Sequence, residues 1–433
     1  MVQPASSNRN IHPHKRIPNP DLVLLAASII LQVILALFLG HVYDTRIFMA
    51  TGYLVGTGQN PYIAQDLSSV FHNSSFQGIT TLGYFPPWAI VLGLIYLATY
   101  HFIPDLLFYN LAIKLPVIAA NICLAYLVIP ILRRMGVQEK IARKAWIFLL
   151  FNPYLLLMSS AWGQFDSIVV LLSLLALLQV SEGKLAGPAI LLALSISLKP
   201  TSLPVLPVIL IYLAARSVKR ALYYFGLFCA GILLFCAVPF ALFGWNPAPI
   251  IQHWDFHFTV GGGLSFMTFL EYTKWSYALP GQFWFLGWLW APALVIAMFV
   301  VKGRVKDLGD LVKKSVALIL VFYLCRAWVA ETNVVLILPL VLILVTNKEL
   351  KPLSLVVVWI LPLVFSFFNT SLAQLLFPSL PGLMDRLLKL AGEFSAARYD
   401  LRTLIVIAWL AAGWWIAISC FRTGTAKSHL VTA

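Results

Sequence analysis

Charge is what this sequence has least of. Only 11% of its 433 residues are Asp, Glu, Lys or Arg, against about 25% in ordinary soluble domains. It lacks a soluble module too, since its longest polar stretch, residues 42–83, is smaller than a typical domain. Five cysteines occur, Cys123, Cys229, Cys236, Cys325 and Cys420, with no CxxC pair; all sit in or beside apolar runs, which implies packing and no disulfide framework. There is no D-x-D, P-loop, HExxH or GxSxG motif, so the metal, phosphate-cradle and hydrolase chemistries carried by those patterns have no foothold.

What the chain does have is apolar sequence. Hydrophobic residues make up 61%, and apolar runs too long for a soluble core recur from residue 21 to residue 421. The reading is an all-α, polytopic membrane protein. A soluble enzyme, a coiled coil, a disordered chain and a nucleic-acid binder are excluded. The excess of 30 Lys+Arg over 16 Asp+Glu reads as cytoplasmic loops facing anionic lipid, not as nucleic-acid affinity.

Basic clusters punctuate the runs, around Arg9–Arg16, Arg133–Lys144, Lys184, Arg216–Arg220, Lys302–Lys314, Lys348–Lys351 and Arg422–Lys427. Placed together in the cytoplasm, they require even numbers of crossings between them. Residues 1–20 become a cytoplasmic basic tail and 422–433 a second one, with the first span retained rather than cleaved. Hairpins are expected over 145–181, with NPY and WGQFDS at the outer turn, over 185–215 with Lys199-Pro200 at the turn, over 221–301 with a long outer loop at 244–280, over 315–347, and over 353–421 with an amphipathic interfacial stretch near 373–401. Parity fails between 84–103 and 106–132, so the Tyr84–Phe102 run is expected to be re-entrant or interfacial. The total is about 12 spans, within roughly 11 to 13, and short Pro-interrupted arms point to broken helices around a wet cavity.

Outer-face charges are few, and ionisable groups at membrane depth are costly and usually functional. Asp44 directly follows the first span; it is a functional carboxylate or an interfacial helix-end one. Asp166, in AWGQFDSI with Trp162 and Gln164, is a cavity residue or an N-cap. Lys199 is an anion ligand or a snorkelling lysine. Arg326, Glu331 and Asn333 form either a site or an Arg–Glu pair gluing helices. Lys199 has no nearby acid in sequence, so its partner is a distant carboxylate or a bound anion, and it ranks ahead of Arg326 as an anion ligand. The other outer cations, among them Lys114 and Arg402, are mostly assigned to loops and interfacial helices. His253 and His257, with Asp255, fit an aromatic interfacial loop better than a metal site.

In order, the chain reads DTRIFMATGYLVGTGQNPY, GYFPPW, FNPYLLLMSSAWGQFDSIVVLLSLLALL and LALSISLKPTSLPVLPVIL. Over residues 20–215 this resembles the GT-C superfamily of integral-membrane glycosyltransferases, in particular family 87 and GPI mannosyltransferase I-like enzymes that use polyprenol-phosphate mannose. The resemblance implies a GT-C bundle whose large first outer loop bears a catalytic base, falling on Asp44, in a catalytic half over 21–215 followed by a variable half over 216–421. Arg46 stands where some relatives carry a second acid. It also implies an inverting transfer of a sugar, most simply mannose, from a polyprenyl-phosphate donor to a lipid or glycan acceptor at the outer face of a plasma or endoplasmic-reticulum membrane. Asp166, Gln164, Trp162, Tyr62 and Tyr84 are then substrate-binding, Lys199 and Arg326 hold the donor phosphate, and Glu331, Asn333, His253 and His257 are secondary candidates. No cofactor and no metal are expected. A transporter or flippase for a lipid-linked or small substrate is the alternative, disfavoured because the second half repeats nothing of Asp44 to Lys199.

Overall fold

In a membrane each segment must satisfy its own backbone, and helix does so locally. The computed structural model describes residues 19–80, 82–252, 260–268, 281–369 and 372–422. These form α1 (Asn19–Phe38), α2 (Val42–Gly56), α3 (Pro86–Ala98), α4 (Leu106–Arg134), α5 (Glu139–Ala161), α6 (Asp166–Ser181), α7 (Ala186–Leu198), α8 (Val205–Ala214), α9 (Val218–Phe243), α10 (Trp290–Val301), α11 (Leu308–Leu324), α12 (Leu338–Thr346), α13 (Pro352–Asn369), α14 (Pro381–Glu393) and α15 (Ser395–Phe421). Extended backbone among the described residues is confined to brief pairings, such as Gly262–Gly263 parallel to Trp328–Val329.

Six helices, α1, α4, α5, α9, α13 and α15, are long and apolar enough to cross a membrane. Their outward faces carry bare aliphatics: Ile30, Leu222 and Leu404 are 60%, 64% and 63% exposed, as a lipid-facing surface requires. α11 is the opposite case. From Leu311 to Leu324 every residue is buried; past Lys313, Lys314 and Ser315 the helix is apolar on all sides, and the buried Lys314 donates its Nζ to Cys420 O at 2.6 Å. The helix packs on α8, α10 and α15, drawing elements of the 21–215 and 216–421 stretches against each other.

Three local features depart from the sequence reading. The segment after the first span, expected as a loop, opens with α2, fifteen residues of which eight are buried. Its Gly52 and Gly56 lie one turn apart against α3. A Cβ at Gly52 would stand 2.8 Å from Leu92 O, and one at Gly56 2.4 Å from Tyr96 Cδ1. Small residues at that spacing are what close helix approach needs. Second, Asn152-Pro153-Tyr154 lies inside α5, not at an outer turn. Pro153 breaks the ladder, and the Asn152 side chain restarts it by accepting from Leu155 N at 2.9 Å. Third, α5 closes in a π-helical turn over Leu157–Ala161, a geometry concentrated at functional positions.

α3 has thirteen residues, about 20 Å of helix and short of a roughly 30 Å hydrocarbon core. α14 is amphipathic, with Leu383, Leu387 and Leu390 exposed 45%, 38% and 50%. All five cysteines are free thiols.

Candidate active-site cavity

Three chain reversals meet at one cavity. The first comes directly after α1. Gly40 pairs with Leu376, its N–H donating to Leu375 O at 2.7 Å, and a Cβ there would stand 2.8 Å from Phe377 O, so the close approach needs glycine. The next residue, His41, donates its N–H to Trp162 O at 3.1 Å and stacks its ring on Trp162, centroids 4.2 Å apart and planes 13° from parallel. One turn on, Asp44 lies in the first turn of α2, where the helix dipole favours a carboxylate.

Asp44 is tightly held. Trp162 Nε1 donates to its Oδ2 at 2.6 Å, and His41 Nδ1 lies 3.1 Å from the same oxygen. The far nitrogen of His41 meets Gln374 Oε1 at 3.1 Å. Burial raises the Asp44 carboxyl, but the His41 charge and hydrogen bond, with bonds from Trp162 and Gln164, outweigh it and leave the group below its ordinary value. A carboxylate 17% exposed is thus kept ionised at the cavity wall.

The second reversal is Trp162-Gly163-Gln164-Phe165, between α5 and α6. Gln164 Oε1 accepts from Tyr84 Oη at 3.4 Å and from Lys199 Nζ at 3.5 Å. Lys199, between α7 and α8, donates to Asp166 Oδ2 at 2.8 Å, the side chains being 8% and 2% exposed. This settles two alternatives. Lys199 does not snorkel, and its distant carboxylate partner is Asp166. Nor does Asp166 cap: Phe165 occupies the N-cap position of α6 with no side-chain cap bond, while the Asp166 carboxylate faces the lysine. A cation neutralised in this way has its charge already met, which weighs against the expected ranking of Lys199 above Arg326 as an anion ligand.

The third reversal comes after α11. Arg326 lies over the Phe322 ring at 5.0 Å, and among the described residues it pairs with no carboxylate within 4.0 Å. The expected Arg326–Glu331 pair does not form. The buried Glu331 carboxylate instead accepts from Asn369 Nδ2 at 3.1 and 3.3 Å. Asn333 is 5% exposed, and its Oδ1 has no partner among the described residues.

The cavity measures about 600 Å³, within the range of small-molecule sites. Of the residues singled out in sequence, Asp44, Tyr84, Trp162 and Gln164 line it, and so do Lys199, Arg326, Glu331 and Asn333. Asp166 stands one step behind Lys199. Tyr62 is displaced: fully buried, it packs on Phe240 at 5.1 Å and donates its hydroxyl to Tyr84 O at 3.1 Å, so it braces the wall. His253 and His257 lie outside the described residues. Among the described residues no three His, Cys, Asp or Glu side chains gather as a metal site.

The sequence reading passed over His41, Gln374 and Asn369, which also line the cavity. His41 had a signal, the i, i+3 spacing to Asp44 at a helix start; Gln374 and Asn369, more than 300 positions downstream of it, had none. Four cations assigned to wet positions are buried instead. Lys313 and Lys314, expected in the cytoplasmic cluster, lie within α11, Lys313 pairing with Glu349 at 3.3 Å. Lys114 lies within α4, and Arg402 packs its guanidinium over Phe365 and Tyr399.

Chemically, the cavity joins an ionised carboxylate aimed inward, an arginine that meets no carboxylate among the described residues, and amide and hydroxyl groups suited to a polyhydroxylated ligand. No protein-family model matches the chain, and no curated protein matches its sequence.

Proposed function

We propose that the protein is an inverting glycosyltransferase with a GT-C-like bundle of about 12 membrane-crossing or membrane-inserted helices. It moves a sugar, most simply mannose, from a polyprenyl-phosphate donor to a lipid or glycan acceptor at the outer face of the membrane. Six further apolar helical stretches shorter than the spanning ones support that count. The observation that carries the reading is the shared cavity: Asp44, ionised and oriented by Trp162 and His41, lies in the same space as Arg326.

These groups define the step. The acceptor oxygen attacks the anomeric carbon while Asp44 takes its proton. The bond from that carbon to the phosphate oxygen breaks, and its electron pair leaves with the polyprenyl phosphate. A single displacement inverts the centre and needs one base; a retaining double displacement needs a second carboxylate as nucleophile, and the other two at the site are engaged, Asp166 by Lys199 and Glu331 by Asn369. The base contributes about 10²–10⁴-fold. Arg326 stabilises charge gathering on the leaving phosphate, and Lys199, paired with Asp166, holds Gln164 through its 3.5 Å contact. Tyr84, Trp162 and Gln164 orient the sugar.

The test is transfer from synthetic polyprenyl-phosphate mannose, glucose and arabinose by the purified protein and by Asp44→Asn. Transfer of one sugar, lost in Asp44→Asn with donor binding retained, is the expected result. Transfer at the wild-type rate by Asp44→Asn removes Asp44 as the base, and no transfer from any donor rejects the reading.

A further inference from the structure

We infer that Lys114 is the positioning residue of the Asp44 site, a buried cation that clamps the ends of α1 and α5 so that His41 and Trp162 meet Asp44 in register. Its link to turnover rests on the proposed transferase reading; the clamp itself does not.

Lys114 is 1% exposed, in the middle of α4. Among the described residues it pairs with no carboxylate. Its Nζ donates to three carbonyl oxygens instead: Ala161 at 2.9 Å, Ala36 at 3.4 Å, and Leu39. These belong to the C-terminal ends of two helices, where carbonyls lack partners within the helix and the dipole favours a cation. One turn back on α4, Asn110 Nδ2 reinforces the clamp, donating to Ala36 O at 2.7 Å and Leu39 O at 2.9 Å.

The residues just beyond the clamped carbonyls tie the lysine to the site. Gly40 and His41 come directly after Leu39, and Trp162 directly after Ala161. These segments are joined by His41 N to Trp162 O, by the stacked rings, and by the Trp162 bond to Asp44. Gly163 is shaped around the same lysine. It takes φ +100°, and a Cβ there would meet Lys114 Cε at 3.0 Å. The cation therefore sits behind the catalytic wall, holding both halves of the cradle by backbone.

The test uses Lys114→Met, which keeps the unbranched chain and removes the donors, with Lys114→Gln, which keeps a donor, as the second variant should Met prevent folding. Two readouts are taken on the full-length protein in detergent. In steady-state transfer, kcat falls about 10–100-fold while donor KM stays within about threefold, and Gln retains more activity than Met. In hydrogen exchange, which needs no activity, protection is lost over residues 39–45 and 161–164 but kept in the interior of α11. An unchanged kcat in an active enzyme, or exchange that rises equally in α11, overturns the inference. If the wild type transfers no sugar, the transferase reading fails separately and the exchange pattern alone decides the clamp.

Discussion

The Lys199 ammonium and the Asp166 carboxylate meet at 2.8 Å across 33 positions of sequence, with side chains 8% and 2% exposed. A buried pair of this kind is costly to break from one side, because the remaining charge has neither water nor partner. Lys199→Met alone and Asp166→Leu alone are each expected to lose about 3–5 kcal/mol of stability, and the double variant to recover most of it. Thermal unfolding of the four proteins measures the cycle; a double variant as unstable as the sum of the singles contradicts the pairing.

Arg326 makes no ion pair among the described residues and rests on Phe322, so removing it leaves no buried carboxylate stranded. Arg326→Ala is expected to keep its unfolding temperature while donor KM rises about 10–100-fold, the loss of one charge-assisted contact to phosphate. Donor binding measured against Lys199→Met ranks the two cations. An Arg326→Ala protein with wild-type donor affinity returns the phosphate to Lys199.

Asp44 lies below the ordinary carboxylate value of 3.8, so as pH falls the proposed base is lost only below that value. Its contribution to stability has the same sign: present above the unfolded carboxyl's range, lost as pH drops through the depressed one. Trp162→Phe removes the 2.6 Å donor and leaves His41, Gln164, Tyr84, Asp166 and Lys199 around the carboxylate. A hydrogen bond to a charged group contributes about 1.5–3 kcal/mol, so the acid limb of kcat/KM belonging to Asp44 should move up by about one to two pH units. The pH–rate profiles of the two proteins decide it; coincident acid limbs would contradict the role of Trp162.

Gly52 seats α2 on α3 and α4, for a Cβ would fall 2.1 Å from Tyr109 Oη and 2.8 Å from Leu92 O. Tyr109 is itself tied to Met49 O at 3.2 Å, and backbone does not yield. Gly52→Ala is expected to cost about 1–3 kcal/mol by overpacking and to lower turnover by tilting the helix that carries Asp44. Gly226→Ala, within α9 and open around its Cβ, controls for the loss of a helical glycine away from that contact. Equal unfolding temperatures for Gly52→Ala and the wild type would show that the helices separate without cost.

Membrane character was legible in the sequence because transfer of apolar side chains depends on composition along a run, which needs no fold to evaluate. The turn at Lys199-Pro200, the first helix ending just before Asp44 and the amphipathic stretch that became α14 were legible for the same reason: proline, charge and period act within a few residues. The helicity of α2 was not, because its stability comes from glycines seated against α3, a contact no local pattern records. Ion pairing was decided only by the tertiary structure. Glu331 is five positions from Arg326 and does not pair with it, while Asp166 is 33 positions from Lys199 and does. His41 meets Gln374 across 333 positions, and Lys114 finds its partners among the carbonyls of two other helices. Coulomb and hydrogen-bond energies fall with distance in space, and separation along the chain is a poor measure of that distance. The sequence by itself determined which ionisable groups the membrane protein carries at its turns, and the packing of helices decided which of them neutralise one another and which are left facing the cavity.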